Sequence, residues 1–368
     1  MKLTFALVLI LSVTPQVSAA QASDVAAVLE LPQPNGPHGV GTTALVLNDS
    51  GRKRDLLVTV WYPAAAQGSP PAPYMDTRTG AAIAAEWSLR PGFERNVRTH
   101  AQPQAAVAKG EPFPVVLLEH GSGTVPAAYT VLAEGLASSG FIVVATNHPP
   151  DSLIAVFPDG HETRNAPYWP LNADRRAQGT AIGRFADDVL VADVRFVLDE
   201  LQAMNSRDRF WRGLLDLAKV GIVGHSMGGT TAALAAKEEK RISAGVNLDG
   251  STYPGMNGDV RPIPTGKPLL FLATEEHASD PETRGREYVG SEGNTYYVVV
   301  AGSDHMSFSD ARLLGARFSR ESSPGKTSYE TALLKVELTR TLVEEFLGKY
   351  LRGDSAPSLD ALVRIDKQ

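Results

Sequence analysis

The chain has 368 residues, a formal net charge of −6, 43% hydrophobic and 21% charged residues, and no cysteine. The apolar content suits a soluble globular protein with a sizeable core, and the acidic balance leaves no basic stripe for nucleic acid. Without cysteine there are no disulfides, no thiol catalysis and no thiolate metal sites.

Met1-Lys2, the apolar run LTFALVLILSV and the small residues VSAA have the layout of a secretory signal peptide over residues 1–19. The run is too short for the ~20 residues that span a bilayer, and Pro15 interrupts its end. The mature chain is therefore expected to be secreted or periplasmic, with residues 20–368 as a single domain. GTTALVLND and DLLVTVWYPA alternate apolar and polar residues around SGRKR, which predicts a β-hairpin at a sheet edge. A loop rich in Pro, Ala and Gly follows over 63–112, with helical character at AAIAAEW.

Beyond it the pattern changes. FPVVLLEHG (113–121) is a fully apolar run, PAAYTVLAEGLASSG (126–140) has helical spacing, and FIVVATNH (141–148) is apolar again. A segment with Pro and aromatics follows, read as an insertion over 149–181. Ile182, Phe185, Val189, Val194, Val197 and Leu201 are expected to share one helical face. VGIVGHS, SAGVNLDG, KPLLFLATEE and TYYVVVAGSDH are further strands, and SYETALLKVELTRTLVEEFLGKYLRGD closes the chain as an amphipathic helix. Apolar runs that alternate with helices predict an α/β fold: a mostly parallel central sheet with helices on both faces and an antiparallel N-terminal hairpin.

One stretch carries chemistry. KVGIVGHSMGGTTAALAAKE (219–238) holds Gly224-His225-Ser226-Met227-Gly228-Gly229 between a strand and a helix. This is the Gly-x-Ser-x-Gly pattern in the context of a nucleophile elbow, where the turn strains the serine backbone and presents its hydroxyl. Side chains at 224 and 228 would collide with neighbouring backbone. A serine hydroxyl needs a base, and the base an orienting acid. After such an elbow the order is serine, acid, histidine. Only His277 and His305 follow Ser226. His305 stands in a polar loop after the last strand and is the favoured base. His277 follows the previous strand, where an acid is more usual. For the acid, Asp249, Glu275, Glu276 and Asp280 all stand at or just beyond strand ends, and the residues alone leave the choice open. The oxyanion donors expected are the backbone N–H groups of Met227 and of Ser122, in the turn His120-Gly121-Ser122-Gly123. His120 is expected to brace that turn, and His225 to pack away from the nucleophile.

These residues resemble the plasma-type platelet-activating factor acetylhydrolases and their bacterial relatives, within the α/β-hydrolase superfamily. The likeness rests on PNGPHGVGTTALVL with LLVTVWYPA, on LLEHGSG and LASSGFIVVATNHPPDS, on VGIVGHSMGG with VNLDGSTYPG, and on AGSDHMSFSD, in the family's order. It implies the α/β-hydrolase fold and a triad of Ser226, Asp249 and His305, since that family's acid lies in a segment similar to NLDG. Asp249 stands 23 residues after Ser226, and His305 stands 56 further on. The resemblance also implies Ser122 and Met227 as oxyanion donors, and calcium-independent hydrolysis of esters with short or oxidised acyl chains. The expected protein is a serine carboxylesterase needing no metal or cofactor. Its expected partner is a small-molecule or lipid ester, with peripheral membrane contact an open option. The rivals are a lipase or polyester hydrolase with longer substrates, an acyltransferase, and a non-catalytic binding protein of the same fold. Phe157, Tyr168 and Trp169 are read as an acyl-pocket or lid lining, or equally as a small satellite core.

Overall fold

The structure, a computed structural model, describes residues 6–7, 28–65, 68–166, 175–251, 266–279, 294–320 and 327–365. Residues 1–19, expected as a leader, lie outside the described residues apart from Ala6–Leu7.

Among the described residues, eight strands build the central sheet: β1 Gly39–Asp49, β2 Arg54–Ala64, β3 Phe113–Glu119, β4 Ile142–Asn147, β5 Leu215–His225, β6 Ile242–Leu248, β7 Leu269–Ala273 and β8 Thr295–Val299. Their order across the sheet is β1-β2-β4-β3-β5-β6-β7-β8. Only β2 runs against its neighbours, and the two-residue strands Gln102–Pro103 and Ala6–Leu7 extend the two edges. Every residue of β3 and β4 is buried, because helices cover both faces of the parallel part. Side chains alternate between those faces. Val116, Leu118, Val143 and Val223 join one core layer, while Val115, Leu117, Val144 and Ile222 join the other.

The helices are α1 Thr77–Glu86, α2 Thr130–Ser138, α3 Arg175–Phe185, α4 Ala192–Arg207, α5 Met227–Glu238, α6 Glu275–Ser279, α7 Ala311–Phe318, α8 Tyr329–Arg352 and α9 Pro357–Ile365. Leu136 of α2 and Leu342, Phe346 and Leu347 of α8 fill the first layer, and Val194, Val197 and Leu201 of α4 and Ala232, Ala235 and Ala236 of α5 fill the second. Ser328 caps α8 by accepting the Thr331 N–H, and Gly353 ends it in the left-handed conformation at φ 79°. No helix among the described residues is long and apolar enough to cross a membrane.

The helical face expected over 182–204 is broken at one point. Ala186–Val191 forms a π-helical turn between α3 and α4. Its extra residue shifts the phase of the helix, so Leu190 and Val191 are buried while Val189 is only half-buried. Ala186 and Leu190 then pack on Met227 at the start of α5. Of the expected insertion, the described part forms a small antiparallel ribbon, Ile154–Val156 with Glu162–Arg164, beyond the end of β4. Residues 167–174, with Tyr168 and Trp169, lie outside the described residues.

Candidate active site

β5 ends at His225 and α5 begins at Met227, leaving Ser226 as the hinge between them. Its backbone has φ 55° and ψ −119°, a conformation that costs a non-glycine residue ~1–3 kcal/mol. The surroundings hold it there. Its N–H donates to Leu248 O at 2.9 Å, and its carbonyl accepts the Thr230 N–H at 3.0 Å. A Cβ on Gly224 would overlap the carbonyl of Gly228, and one on Gly228 the carbonyl of Glu119. The turn can therefore be this tight only with glycine at both positions.

Ser226 Oγ lies 2.9 Å from His305 Nε2, and His305 Nδ1 lies 2.7 Å from Asp249 Oδ2. His305 opens a single 3-10 turn after β8, capped by Asp304, which accepts the Met306 N–H at 3.0 Å. Its side chain is 49% exposed. Asp249 follows β6 with a left-handed φ of 52°. Its Oδ1 accepts the N–H and the hydroxyl of Thr274 at 2.8 and 3.1 Å. Burial alone would raise its carboxyl, but hydrogen bonds from His277, His305 and the Thr274 backbone outweigh that and hold it well below the usual carboxylate range. Asp249 thus stands as a carboxylate behind the imidazole.

Of the other candidate acids, Glu275 and Glu276 do not reach His305. Both are exposed on α6, and the Glu275 carboxylate accepts the Gly302 N–H at 3.0 Å. Asp280 lies outside the described residues. His277 is near Asp249, not Ser226: its Nδ1 is 3.3 Å from Asp249 Oδ1. Phe157 is buried and stacks on the His161 ring, with centroids 4.1 Å apart.

The turn 120–124 sits directly against the nucleophile, where a Cβ on Gly121 would be 3.2 Å from Ser226 Cβ. The N–H of Gly121 donates to Tyr129 Oη, that of Gly123 to Asp151 O, and that of Thr124 to Gly121 O. Met227 is the first residue of α5, where the helix itself offers no acceptor for an N–H. His120 Nδ1 donates to Gly121 O at 2.8 Å, and its Nε2 accepts from Ser152 Oγ at 2.7 Å, so it braces the turn as the sequence implies.

His225 does more than pack. Burial, then the charge of His305, pushes its imidazole down to about 3, so it is neutral. Its Nε2 lies 2.7 Å from the His305 carbonyl, which can only accept, so Nε2 carries the proton. Nδ1 then accepts from Tyr129 Oη at 2.8 Å. One ring ties the turn of Gly121, through Tyr129, to the backbone of His305.

A second set of buried charges went unread in the sequence. His148 Nε2 is 2.5 Å from Glu119 Oε2, and its Nδ1 is 3.0 Å from Asp193 Oδ2. Arg54 and Arg52 each donate to Asp193 at 2.7 Å. Burial would lower the His148 imidazole, but the two carboxylates outweigh it and push it up to about 10. The backbone N–H of His148 donates to Ser152 Oγ at 2.7 Å, which connects this network to His120 and the turn. Its signal in the sequence was faint: an Arg-x-Arg in a hairpin turn and a histidine at a strand end.

The family model for platelet-activating factor acetylhydrolase, isoform II, matches residues 24–169 and 199–355. A platelet-activating factor acetylhydrolase of Cavia porcellus is 26% identical over 352 residues, covering 88% of this chain and 78% of that protein. A probable 1-alkyl-2-acetylglycerophosphocholine esterase of Arthroderma benhamiae is 26% identical over 276 residues, 67% of each chain. Among solved structures, a ferulic acid esterase from Streptomyces cinnamoneus superposes with a TM-score of 0.73 at 29% identity, covering 91% of this chain and 96% of that one. The chain belongs to the platelet-activating factor acetylhydrolase, isoform II, family, and is a carboxylic ester hydrolase of the α/β-hydrolase fold.

Proposed function

We propose that this protein is an exported serine esterase that hydrolyses short-acyl esters through Ser226, His305 and Asp249. The observation that carries the reading is the line of hydrogen bonds from Ser226 Oγ through both nitrogens of His305 to Asp249. Asp249, as a carboxylate, keeps the His305 proton on Nδ1 and leaves Nε2 to accept. His305 takes the serine proton as Ser226 Oγ bonds to the ester carbonyl carbon. The N–H groups of Met227 and Ser122 hold the oxyanion, at the positive end of α5. The tetrahedral intermediate collapses, the alcohol leaves with the proton from His305, and an acyl-enzyme remains. Water, deprotonated by His305, then releases the acid and restores the serine.

The half-exposed His305 gives that water a way in, which favours hydrolysis over transfer to another alcohol. Export rests on the leader-like residues 1–19. The family supports a lipid or small ester with a short acyl group. A second reading, an aromatic acyl ester, is favoured by the 29% identity to the ferulic acid esterase.

Initial rates on p-nitrophenyl acetate through dodecanoate, and on methyl ferulate, separate these readings, with Ser226→Ala as the blank. Rates that peak at acetate to butyrate support the short-acyl esterase. A peak at long chains points to a lipase or polyester hydrolase, and preference for methyl ferulate to an aromatic acyl pocket. Equal rates for wild type and Ser226→Ala on every ester would refute the serine mechanism.

A further inference from the structure

Asp249 meets two histidines. His305 approaches one oxygen of its carboxylate, and His277, on α6, approaches the other at 3.3 Å. The His277 side chain is only 11% exposed, so it is not a solvated surface imidazole. Its backbone N–H donates to Thr274 Oγ1 at 3.0 Å, and the same hydroxyl donates to Asp249 Oδ1 at 3.1 Å. Ring and backbone of His277 are therefore tied to the same two residues. Asp249 itself holds a left-handed φ of 52°, a region that aspartate tolerates better than most residues.

We propose that His277 is a positioning residue of this site: it holds the Oδ1 side of Asp249 so that Oδ2 faces His305. This deepens the Ser-His-Asp reading and rests on it. The donors divide cleanly between the two oxygens. Oδ1 takes the Thr274 N–H and hydroxyl and faces His277, and Oδ2 takes His305. With Oδ1 held on that side, the carboxylate plane cannot rotate away from the imidazole of His305.

The test is a pair of variants, His277→Leu and His277→Gln, assayed on p-nitrophenyl acetate at neutral pH. His277→Leu removes the donor, and is expected to lower kcat about tenfold with KM within about twofold, the size of a lost hydrogen bond to a charged group. His277→Gln keeps an N–H donor and is expected to recover most of that kcat. Unchanged kcat in His277→Leu, or equal losses in both variants, would overturn the proposal. If His277→Leu does not fold by far-UV circular dichroism, His277→Phe takes its place under the same criteria. Loss of activity in Ser226→Ala beside a fully active His277→Leu leaves the triad standing and removes only this proposal. Activity in Ser226→Ala removes the triad itself.

Discussion

Asp249→Asn separates a lost hydrogen bond from an inverted tautomer. The two carboxylate oxygens have unlike neighbours. Oδ1 faces the Thr274 backbone N–H at 2.8 Å, a donor that cannot rotate away. An asparagine must therefore keep its oxygen on that side and turn its NH2 toward His305 Nδ1. His305 then accepts at Nδ1 and carries its proton on Nε2, opposite Ser226 Oγ, where it cannot take the serine proton. If only one charge-assisted hydrogen bond were lost, the cost would be ~1.5–3 kcal/mol, or roughly 10- to 150-fold in rate. Inverting the tautomer removes the base altogether, and the expected fall in kcat is about 10⁴-fold. The assay is steady-state hydrolysis of p-nitrophenyl acetate at neutral pH, with KM expected to stay within a few-fold, and nitrogen NMR of the His305 ring to read the tautomer. A fall of roughly 150-fold or less, or a proton still on Nδ1, would refute the reasoning.

Two further predictions concern what holds the site. His148→Leu leaves the Glu119 carboxylate buried without its partner, and should lower the unfolding free energy by about 3–5 kcal/mol in urea titrations near neutral pH. Because the folded imidazole is pushed up to about 10, its contribution is present in full below the unfolded value of about 6.5 and is lost as pH rises through about 10. The gap between wild type and variant must therefore narrow in alkali; a constant gap would mean the histidine contributes by packing alone. Gly228→Ala drives a Cβ into the Glu119 carbonyl, and should cost at least about 1–3 kcal/mol and most of the esterase rate, whereas Gly315→Ala on α7, with open space around it, should stabilise by about 0.4–1 kcal/mol. Thermal melts of the two glycine variants that move alike would contradict the crowding argument.

The parts of the fold legible in the sequence are those whose cause is local. FPVVLLE and IVVATN lose polar alternation because both sheet faces are covered, and a continuous apolar run is visible at a glance. The elbow is legible through Gly224, whose Cβ would meet the Gly228 carbonyl within the same turn, whereas Gly228 meets the Glu119 carbonyl from a strand far back in the chain and is legible only as part of the Gly-x-Ser-x-Gly pattern. The π-helical turn at Ala186–Val191 was not legible, because one added residue in a helix leaves no mark in an apolar pattern already read at period 3.6. The buried network at His148 was hidden by distance. Its partners Glu119 and Asp193 stand 29 and 45 residues away, and Arg54 stands 139 from Asp193.

The histidines make the same point about the site. His148 and His225 are equally buried, yet one is pushed up to about 10 and the other down to about 3. Burial cannot be the difference; the two carboxylates beside His148 are. His120 has a serine hydroxyl at 2.7 Å but no carboxylate on its other nitrogen, which binds Gly121 O. His277 has a carboxylate within reach but is turned toward Asp249, away from the elbow. Among the described residues, His305 alone joins a serine hydroxyl on one nitrogen to a carboxylate on the other, and it does so half-exposed, where an ester can arrive. Chain order picks out His305 because the strand ends of β5, β6 and β8 converge on one edge of the sheet, so that order after the elbow stands in for position around the serine. The same shortcut fails for His277, whose place after β7 also brings it to that edge, and there only the geometry around Asp249 separates a base from a brace.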